Sequence, residues 1–338
     1  MTCYSGIDLH SNNSVVVVID EADRVLYQRR LPNELSGIVA ALEPYGSELA
    51  GVVVESTYNW YWLVDGLKAA GYRVYLANPA AMKQYEGIKH RGDESDAQYL
   101  AHLLRLGILP TGYICPPAER AVRDLARKRL QLVRTRNAQV VSVESNLARQ
   151  TGGRLSSNAV KRMTPAEAGA LGLPEDVTSA MAANVAVIQA LNIEIAKLEA
   201  RLRQRLRLRR QYRVLITVPG IGEVLATIIM LETGAIERFA AVGNFASYAR
   251  CVDSVHRSNN KKKGAGNVKN GNKYLAWAFI EAAHFARRYC PQAKRFFERK
   301  QAATNNIVAT KALAHKLARA CYHMLKEGQP FDVNRCFA

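Results

Sequence analysis

The run CYSGIDLHSNNSVVVVIDEADRVLYQRRL, residues 3–31, contains three segments rich in β-branched and other apolar residues. Short polar stretches separate these segments, as turns separate neighbouring strands. The run therefore predicts a three-stranded meander. Apolar periodicity then predicts alternating elements: a helix at 33–46, a buried strand at 49–57, a helix at 59–71, a strand at 72–79 and a helix at 91–107. The expected order is βββαβαβα, an α/β domain.

Charge divides the chain into two parts. The full chain of 338 residues has a formal net charge of +18. Residues 1–100 hold 8 Lys and Arg against 13 Asp and Glu, a net of −5, whereas residues 101–338 hold 39 against 16, a net of +23. Basic residues gain free energy by neutralising phosphates and releasing counterions, so the second part predicts a nucleic-acid partner. The acidic first part predicts a different task.

Other features of the composition favour a folded protein of the cytoplasm. The hydrophobic content of 49% is enough to bury a core in each of two or three domains. The apolar runs are shorter than the roughly 20 residues of a spanning helix, and the N-terminus lacks the pattern of a signal peptide, so no membrane is expected. Six cysteines are scattered without a CxxC pair, which argues against a zinc ribbon or a disulfide framework.

Four carboxylates are expected to converge in the acidic part. Asp8 ends the first predicted strand and Glu55 the fourth, while Asp93 and Asp96 lie three residues apart on one helix face. Oxygen ligands suit Mg²⁺ or Mn²⁺, and two such ions about 4 Å apart can stabilise the attacking and leaving oxygens of a phosphodiester. The alternative for any single acid near a helix start is a cap or a dipole partner, which is the role assigned to Glu94.

Residues 113–212 predict two long helices that form an antiparallel or an intermolecular coiled coil. The segment between them, residues 150–176, is interrupted by Gly, Ser and Pro and predicts a mobile linker. Residues 196–213 carry eight Lys and Arg and one acid. That basic run is either a solvated face or a contact for DNA or RNA.

The C-terminal part contains two further candidate contacts for nucleic acid. The turn Pro-Gly-Ile-Gly, residues 219–222, predicts a helix-hairpin-helix in which Gly220 and Gly222 let backbone N–H groups approach a phosphate. A segment rich in Lys, Gly and Asn follows, and it predicts a flexible loop around a nucleic-acid backbone before a helix that begins near Tyr274. Its basic candidates are Arg257, Lys261, Lys262, Lys263, Lys269 and Lys273.

The order Gly6-Ile7-Asp8, Val54-Glu55-Ser56-Thr57 and Asp93-Glu94-Ser95-Asp96-Ala97 resembles the DEDD-type transposases of insertion sequences, relatives of the pilin-gene-inverting recombinases. The resemblance runs through the whole chain. It implies an RNase H-like domain of the RuvC-like, Holliday-junction-resolvase type, with the acidic tetrad on Asp8, Glu55, Asp93 and Asp96. It implies a C-terminal transposase domain that opens at the Pro-Gly-Ile-Gly turn.

The same resemblance assigns the nucleophile that joins covalently to DNA to Ser258, with Ser254 as the fallback. It also implies guidance by a structured RNA encoded beside the gene, and composite sites built between protomers. We predict a catalytic domain at 1–112, a coiled-coil and dimerisation region at 113–212 and a transposase domain at 213–338. The expected assembly is a homodimer that becomes a tetramer on synapsis.

The predicted function is a transposase or site-specific recombinase that cuts and rejoins DNA. Two alternatives stay open: a metal-dependent junction nuclease, and a non-catalytic nucleic-acid-binding protein with a decayed RNase H-like domain. The complete tetrad argues against the second, and the basic segment with its serine is superfluous to the first.

Overall fold

The structure, a computed structural model, describes residues 1–82, 85, 93–252, 255–258, 261–265 and 270–338, and of 93–95, 255–258 and 262–265 only the backbone. The chain divides into two compact units, Met1–Pro117 and Ala118–Ala338. The predicted transposase domain lies in the second unit, and so does the predicted coiled-coil region apart from its residues 113–117. The three-domain division stays a prediction.

The first unit has the predicted order of elements. They are β1 (Cys3–Leu9), β2 (Asn13–Ile19), β3 (Val25–Pro32), α1 (Leu35–Leu42), β4 (Leu49–Val54), α2 (Tyr61–Ala69), β5 (Val74–Leu76), α3 (Pro79–Met82) and α4 (Asp93–Arg105). The order βββαβαβα is confirmed, with the one-turn helix α3 and a 3₁₀ turn after α1 as additions that the sequence analysis did not predict.

One mixed five-stranded sheet organises this unit, with the strand order β3-β2-β1-β4-β5. β1, β2 and β3 pair antiparallel, while β4 pairs parallel with β1 and with β5. The valine run of β2 is apolar throughout because both faces of the sheet are covered. Val16 and Val18 share a core with residues of α1 and α2, whereas Val15 and Val17 contact α4 on the other face.

A helical hairpin begins the second unit. α5 (Pro117–Thr151) and α8 (Glu175–Leu206) pair through Arg129 with Glu199 near one end and through Ser142 with Asn184 further along. The residue numbers rise on one helix as they fall on the other, so the pairing is antiparallel and lies within one chain. The antiparallel pairing agrees with one of the two predicted forms, and an intermolecular coiled coil stays a prediction.

The segment between these helices differs from the predicted mobile linker. It holds α6 (Ser157–Arg162) and α7 (Pro165–Gly169). Thr164 and Glu167 form a capping box at the start of α7. Val160 and Ala168 are buried in one core with residues of α5 and α8. Local caps and a shared core therefore order a segment that its composition alone had placed among loops.

Helix α8 carries more exposed apolar surface than expected. It is long enough and apolar enough to cross a membrane by length and composition, since an 18-residue window has a mean hydropathy of 1.3 and is only 22% buried. A single helix of this kind is weak support for a membrane span. The length of α8 nevertheless corrects the expectation that every apolar run is too short to span a membrane. Val187 and Ile193 are among its exposed apolar side chains.

The rest of the second unit is mostly helical, as predicted. Its elements are α9 (Arg210–Leu215), α10 (Glu223–Thr233), α11 (Val242–Tyr248), β6 (Val255–Ser258), β7 (Lys261–Ala265), α12 (Lys273–Tyr289), α13 (Pro291–Ala303), α14 (Asn306–Glu327) and α15 (Val333–Phe337). Their core is centred on aromatic side chains, among which Phe245 and Phe279 are fully buried. The antiparallel pair β6–β7 lies where a flexible loop was predicted.

Candidate active site

Asp8 and Glu55 lie side by side at the carboxyl ends of two parallel strands. Ile7 of β1 is in register with Val54 of β4, and the N–H of Glu55 donates to the carbonyl of Ile7 at 3.1 Å. Asp8 is opposite Val15 of β2, so it belongs to the face of the sheet that α4 covers. Asp8 is only 3% exposed. The carboxyl ends of parallel strands are where ligands of α/β folds gather.

Gly6 brings the first turn of α4 to the same corner. A Cβ at Gly6 would lie 2.0 Å from the carbonyl oxygen of Ala97 and 2.8 Å from the nitrogen of Ala101. Only glycine therefore lets α4 lie this close to β1, two residues before Asp8. Asp96 is the residue before Ala97 and is half-buried. Asp93 is the first residue of α4, but its side chain lies outside the described residues.

The donor set of this corner suits a hard divalent cation. Asp8, Glu55 and Asp96 supply carboxylate oxygens, the ligands that Mg²⁺ and Mn²⁺ prefer. Among the side chains that the structure describes, no three His, Cys, Asp or Glu residues are close enough to hold a metal ion. The backbone brings Asp8 and Glu55 to neighbouring strand ends and brings the helix turn after Asp96 against Gly6, whereas the gathering of the acidic side chains around a metal ion stays a prediction.

Sequence analysis missed His10, which follows directly after β1. Its Nε2 lies 3.4 Å from Oδ2 of Asp8. Its carbonyl accepts hydrogen bonds from the side-chain amides of Asn33 at 3.1 Å and Asn59 at 3.0 Å. These contacts fix the chain where it leaves the strand. The position of His10, two residues after Asp8 and therefore on the same side of an extended strand, was the available signal.

The two glycines of the Pro-Gly-Ile-Gly turn have different surroundings. The turn joins α9 to α10, as the predicted hairpin requires. Gly220 has φ +93, and a Cβ there would lie 2.5 Å from the nitrogen of Ala286 in α12, so close packing accounts for this glycine. A Cβ at Gly222 would meet nothing within 4 Å. Glu223 beside it pairs with Arg203 at 3.0 Å. Contact of this turn with DNA stays a prediction.

The segment with the predicted nucleophile forms the hairpin β6–β7. Ser258 ends β6 and pairs with Lys261, and Arg257 pairs with Lys262. Lys263 is also in β7. Ser254 and Lys269 lie outside the described residues. Lys273 is the first residue of α12 rather than part of a loop, and its Nζ lies 5.3 Å from the ring centre of Tyr274.

A buried polar cluster beneath this segment also escaped the sequence analysis. The carboxylate of Glu232 in α10 accepts hydrogen bonds from Arg127 of α5 and from Asn272, which caps α12. Glu232 stands in the apolar run of α10, and no local pattern shows which distant residues it contacts. The one local signal is Asn272 before a helical apolar pattern, a position where Asn is a frequent N-cap.

Comparison with known proteins places most of the chain within one group of transposases. A family model described as "Transposase", for the DEDD type of IS110, matches residues 5–150, and one described as "Transposase IS116/IS110/IS902 family" matches residues 212–298. The chain is similar to a "Probable family 20 transposase" of Pseudomonas aeruginosa, 25% identical over 95% of this chain and 96% of that protein. It is similar also to the "Transposase for insertion sequence element IS1111A" of Coxiella burnetii, 23% identical over 96% and 87% of the two chains.

Proposed function

Because this chain belongs to the IS110-type family of DEDD transposases, we propose that it moves an insertion sequence by cutting and rejoining DNA. Two sites in the protein would carry out this chemistry. One is the acidic corner with Asp8, Glu55, Asp93 and Asp96. The other is the hydroxyl of Ser258 on the hairpin β6–β7. DNA is the partner on which transposases act, and the two relatives that cover nearly all of this chain carry transposase names.

The observation that carries this proposal is that Asp8, near the end of β1, and Glu55, directly after β4, follow the registered pair Ile7–Val54, while α4 packs against Gly6. The mixed sheet with β1 at its centre and the order β3-β2-β1-β4-β5 supports the RNase H-like assignment.

The acidic residues would hold Mg²⁺ or Mn²⁺. When bound, such an ion neutralises charge on the phosphodiester and lowers the pKa of an attacking hydroxyl or water. Asp8 is nearly completely buried and stands on a strand, so its carboxylate is held in place before DNA binds. His10 beside it restricts the Asp8 side chain from the solvent side. The acidic residues and His10 would orient the metal ion, whereas the basic side chains of the second unit would bind the phosphates.

Ser258 would act by transesterification. Its Oγ forms a bond to phosphorus, the bond from phosphorus to a sugar oxygen breaks, the hydroxyl proton passes to a neighbouring base, and the leaving sugar oxygen takes up a proton. The sugar hydroxyl of another strand reverses the step and releases the serine. Arg257 and Lys261 to Lys263 neighbour Ser258 along the hairpin and would hold the scissile phosphate.

Assembly and guidance complete the proposal. The exposed apolar side chains of α8, including Val187 and Ile193, support self-association into a dimer, with a tetramer when two DNA partners meet. In such an assembly the acids of one protomer would serve the serine of another. The formal net charge of +18 supports the binding of a structured guide RNA as well as DNA. We propose that the protein works in the cytoplasm, where both nucleic acids are present.

A covalent adduct tests the proposal. In cells that carry the complete insertion element on a plasmid, the wild type should yield a protein–DNA adduct that survives denaturant, and Ser258→Ala should abolish it. Ser254→Ala is the matched control and should leave the adduct intact. Mixing Ser258→Ala with Asp8→Asn should restore part of the recombination if sites are composite. DNA cutting without any adduct would instead identify a junction nuclease. Sequencing of RNA that copurifies tests the guide.

A further inference from the structure

The two ends of the segment that carries Ser258 are joined to each other. Arg250 precedes the segment, and its Nε and Nη2 donate to the carbonyl of Gly271 at 3.1 and 2.8 Å. Gly271 has φ +90, and a Cβ there would lie 2.6 Å from the carbonyl oxygen of Tyr248. Both the backbone conformation and the close approach require glycine. The segment between residues 250 and 271 is therefore closed at its base.

Asn272 links this base to helix α12 and to the core. Its Oδ1 accepts from the backbone N–H groups of Tyr274 at 2.8 Å and Leu275 at 3.1 Å, so it caps the helix. Its Nδ2 donates to Oε2 of Glu232 at 2.7 Å. One side chain thus fixes where α12 begins and donates to the buried carboxylate of Glu232.

Glu232 connects the cap to the long helix α5. Its side chain is 1% exposed, and Arg127 donates to both of its oxygens, from Nε at 2.6 Å and from Nη2 at 2.7 Å. The guanidinium also lies 4.6 Å from the ring centre of Tyr274. Burial alone would lower the pKa of Arg127, but the hydrogen bonds and the charge of Glu232 more than offset it, and the pKa is raised.

Resting on the proposed role of Ser258, we propose that Glu232 is a positioning residue that ties α5 to the base of the Ser258 segment through Arg127 and Asn272. α5 is one helix of the hairpin that is expected to carry self-association, so its placement relative to α10 and α12 is communicated to the hairpin β6–β7. The serine is then presented in reactive geometry only when this connection is intact.

Stability alone explains the cluster poorly. Removing a carboxylate and a guanidinium from water costs several kcal/mol, and well-packed apolar residues at such positions are often at least as stabilising. What apolar residues cannot supply is direction. Bidentate contacts fix the orientation of both partners. The hydrogen bonds from Arg127 tie Glu232 to α5, and the one from Asn272 ties it to the cap of α12.

Asn272→Asp tests the link with little change to the helix cap. Asp caps helices as well as Asn does, but it has no N–H group to donate to Glu232 and sets a second carboxylate against it, so this variant breaks the link and adds repulsion between like charges. Asn305→Asp is the matched control, because Asn305 caps α14 by accepting from the N–H of Val308 at 3.0 Å. Arg127→Lys keeps the positive charge and loses the bidentate geometry. Its control is Arg129→Lys, on the same helix but paired with Glu199 of α8.

The readouts are the rate of Ser258-dependent adduct formation in cells carrying the element, DNA affinity of the purified protein and melting temperature. We expect the adduct rate to fall about 100-fold in Asn272→Asp and in Arg127→Lys, as for a misplaced reacting group, at unchanged DNA affinity. Both controls should retain wild-type rates at comparable melting temperatures. If Asn272→Asp does not fold, Arg127→Lys decides alone.

Wild-type adduct rates in both test variants would overturn the proposal. So would an equal loss in test and control variants that melt at the same temperature, because the effect would then follow stability alone. If the wild type itself gives no adduct that depends on Ser258, the proposed function has failed and this inference falls with it.

Discussion

The acidic corner and the base of the Ser258 segment are built in opposite ways. Asp8 and Glu55 are placed by the register of two adjacent strands. Asp8 lies near the end of β1, and Glu55 directly follows β4. The base of the Ser258 segment is placed by hydrogen bonds that span 105 residues from Arg127 to Glu232 and 40 residues from Glu232 to Asn272. A site at strand ends follows from local pattern. A site on a hairpin that leaves a helical unit depends on distant polar contacts.

The two regions also differ in electrostatics. Residues 1–100 carry a net charge of −5, which repels phosphates, whereas residues 101–338 carry +23. An acidic corner can approach a phosphodiester only when cations offset its charge, and the basic part attracts DNA without them. Under the proposed function, we therefore expect most contacts with DNA phosphates to come from residues 101–338.

The largest expected effect separates two buried aspartates of the same sheet. Asp8→Asn should reduce DNA cutting at least about 10³-fold, the loss typical of removing a group that stabilises transition-state charge. Asp20→Asn is the control, because Asp20 is 1% exposed but its oxygens accept from the N–H groups of Ala22 and Arg24 in a turn. It should lower the melting temperature and leave cutting intact. Cutting by Asp8→Asn at the wild-type rate would remove Asp8 from the site.

Metal should reveal the same difference without any DNA. Carboxylates that share one corner repel each other, so Mg²⁺ bound there should raise the melting temperature of the wild type. The rise should shrink in Asp8→Asn and persist in Asp20→Asn. Thermal melts at several Mg²⁺ concentrations measure it, and an equal rise in all three proteins would place the ion elsewhere.

The next effect tests whether the distant contacts of the second unit carry stability. Glu232→Ala leaves the charge of Arg127 partly buried without its partner and should cost about 3–5 kcal/mol. Glu223→Ala removes the partner of Arg203 in a pair whose side chains are 56% and 58% exposed, and should cost less than about 1 kcal/mol. Denaturant unfolding measures both. Equal costs would mean that the cluster around Glu232 behaves like a surface ion pair.

A smaller effect tests the turn between α9 and α10. Gly220→Ala places a Cβ at positive φ against the backbone of α12 and should destabilise the second unit by about 2–3 kcal/mol. Gly222→Ala enters open space and should cost about 0.5 kcal/mol, the loss expected at an N-cap. If the turn binds phosphate, Gly222→Ala should weaken DNA binding at nearly unchanged stability. Unfolding and DNA titrations separate packing from binding.

The sequence predicted elements that apolar patterns mark, and it failed where composition masks a local element or where a polar residue contacts a distant partner. The strands around Asp8 and Glu55 were legible because apolar runs and turn residues mark strand ends. The linker was misjudged although Thr164 and Glu167 have the spacing of a capping box, because Gly and Pro dominated the assessment. The hairpin β6–β7 was taken for a loop, since Lys-, Gly- and Asn-rich strands have little apolar alternation. The partners of Glu232 could be found only from the tertiary structure.

The smallest expected effect concerns pH and the turn between β2 and β3. The N–H of Arg24 donates to Asp20 at 2.9 Å, and this bond, with those from the Arg24 guanidinium and the N–H of Ala22, lowers the pKa of Asp20 below its ordinary value of 3.8, although burial opposes the shift. A folded-state pKa below the unfolded one means that the contribution is complete above about pH 4. It is lost as the pH falls through the folded-state pKa, where the carboxyl is protonated in both states.

The difference in unfolding free energy between the wild type and Asp20→Asn should therefore be constant near neutral pH and shrink as the pH falls below about 4. Urea unfolding of both proteins across that range measures it. Glu34→Gln is the control, because the exposed Glu34 side chain makes no capping hydrogen bond to α1. A difference that stays constant down to pH 2 would show that the hydrogen bonds of Asp20 do not depend on its charge. The turn would then be held by geometry alone, unlike the cluster around Glu232, which contains the ion pair with Arg127.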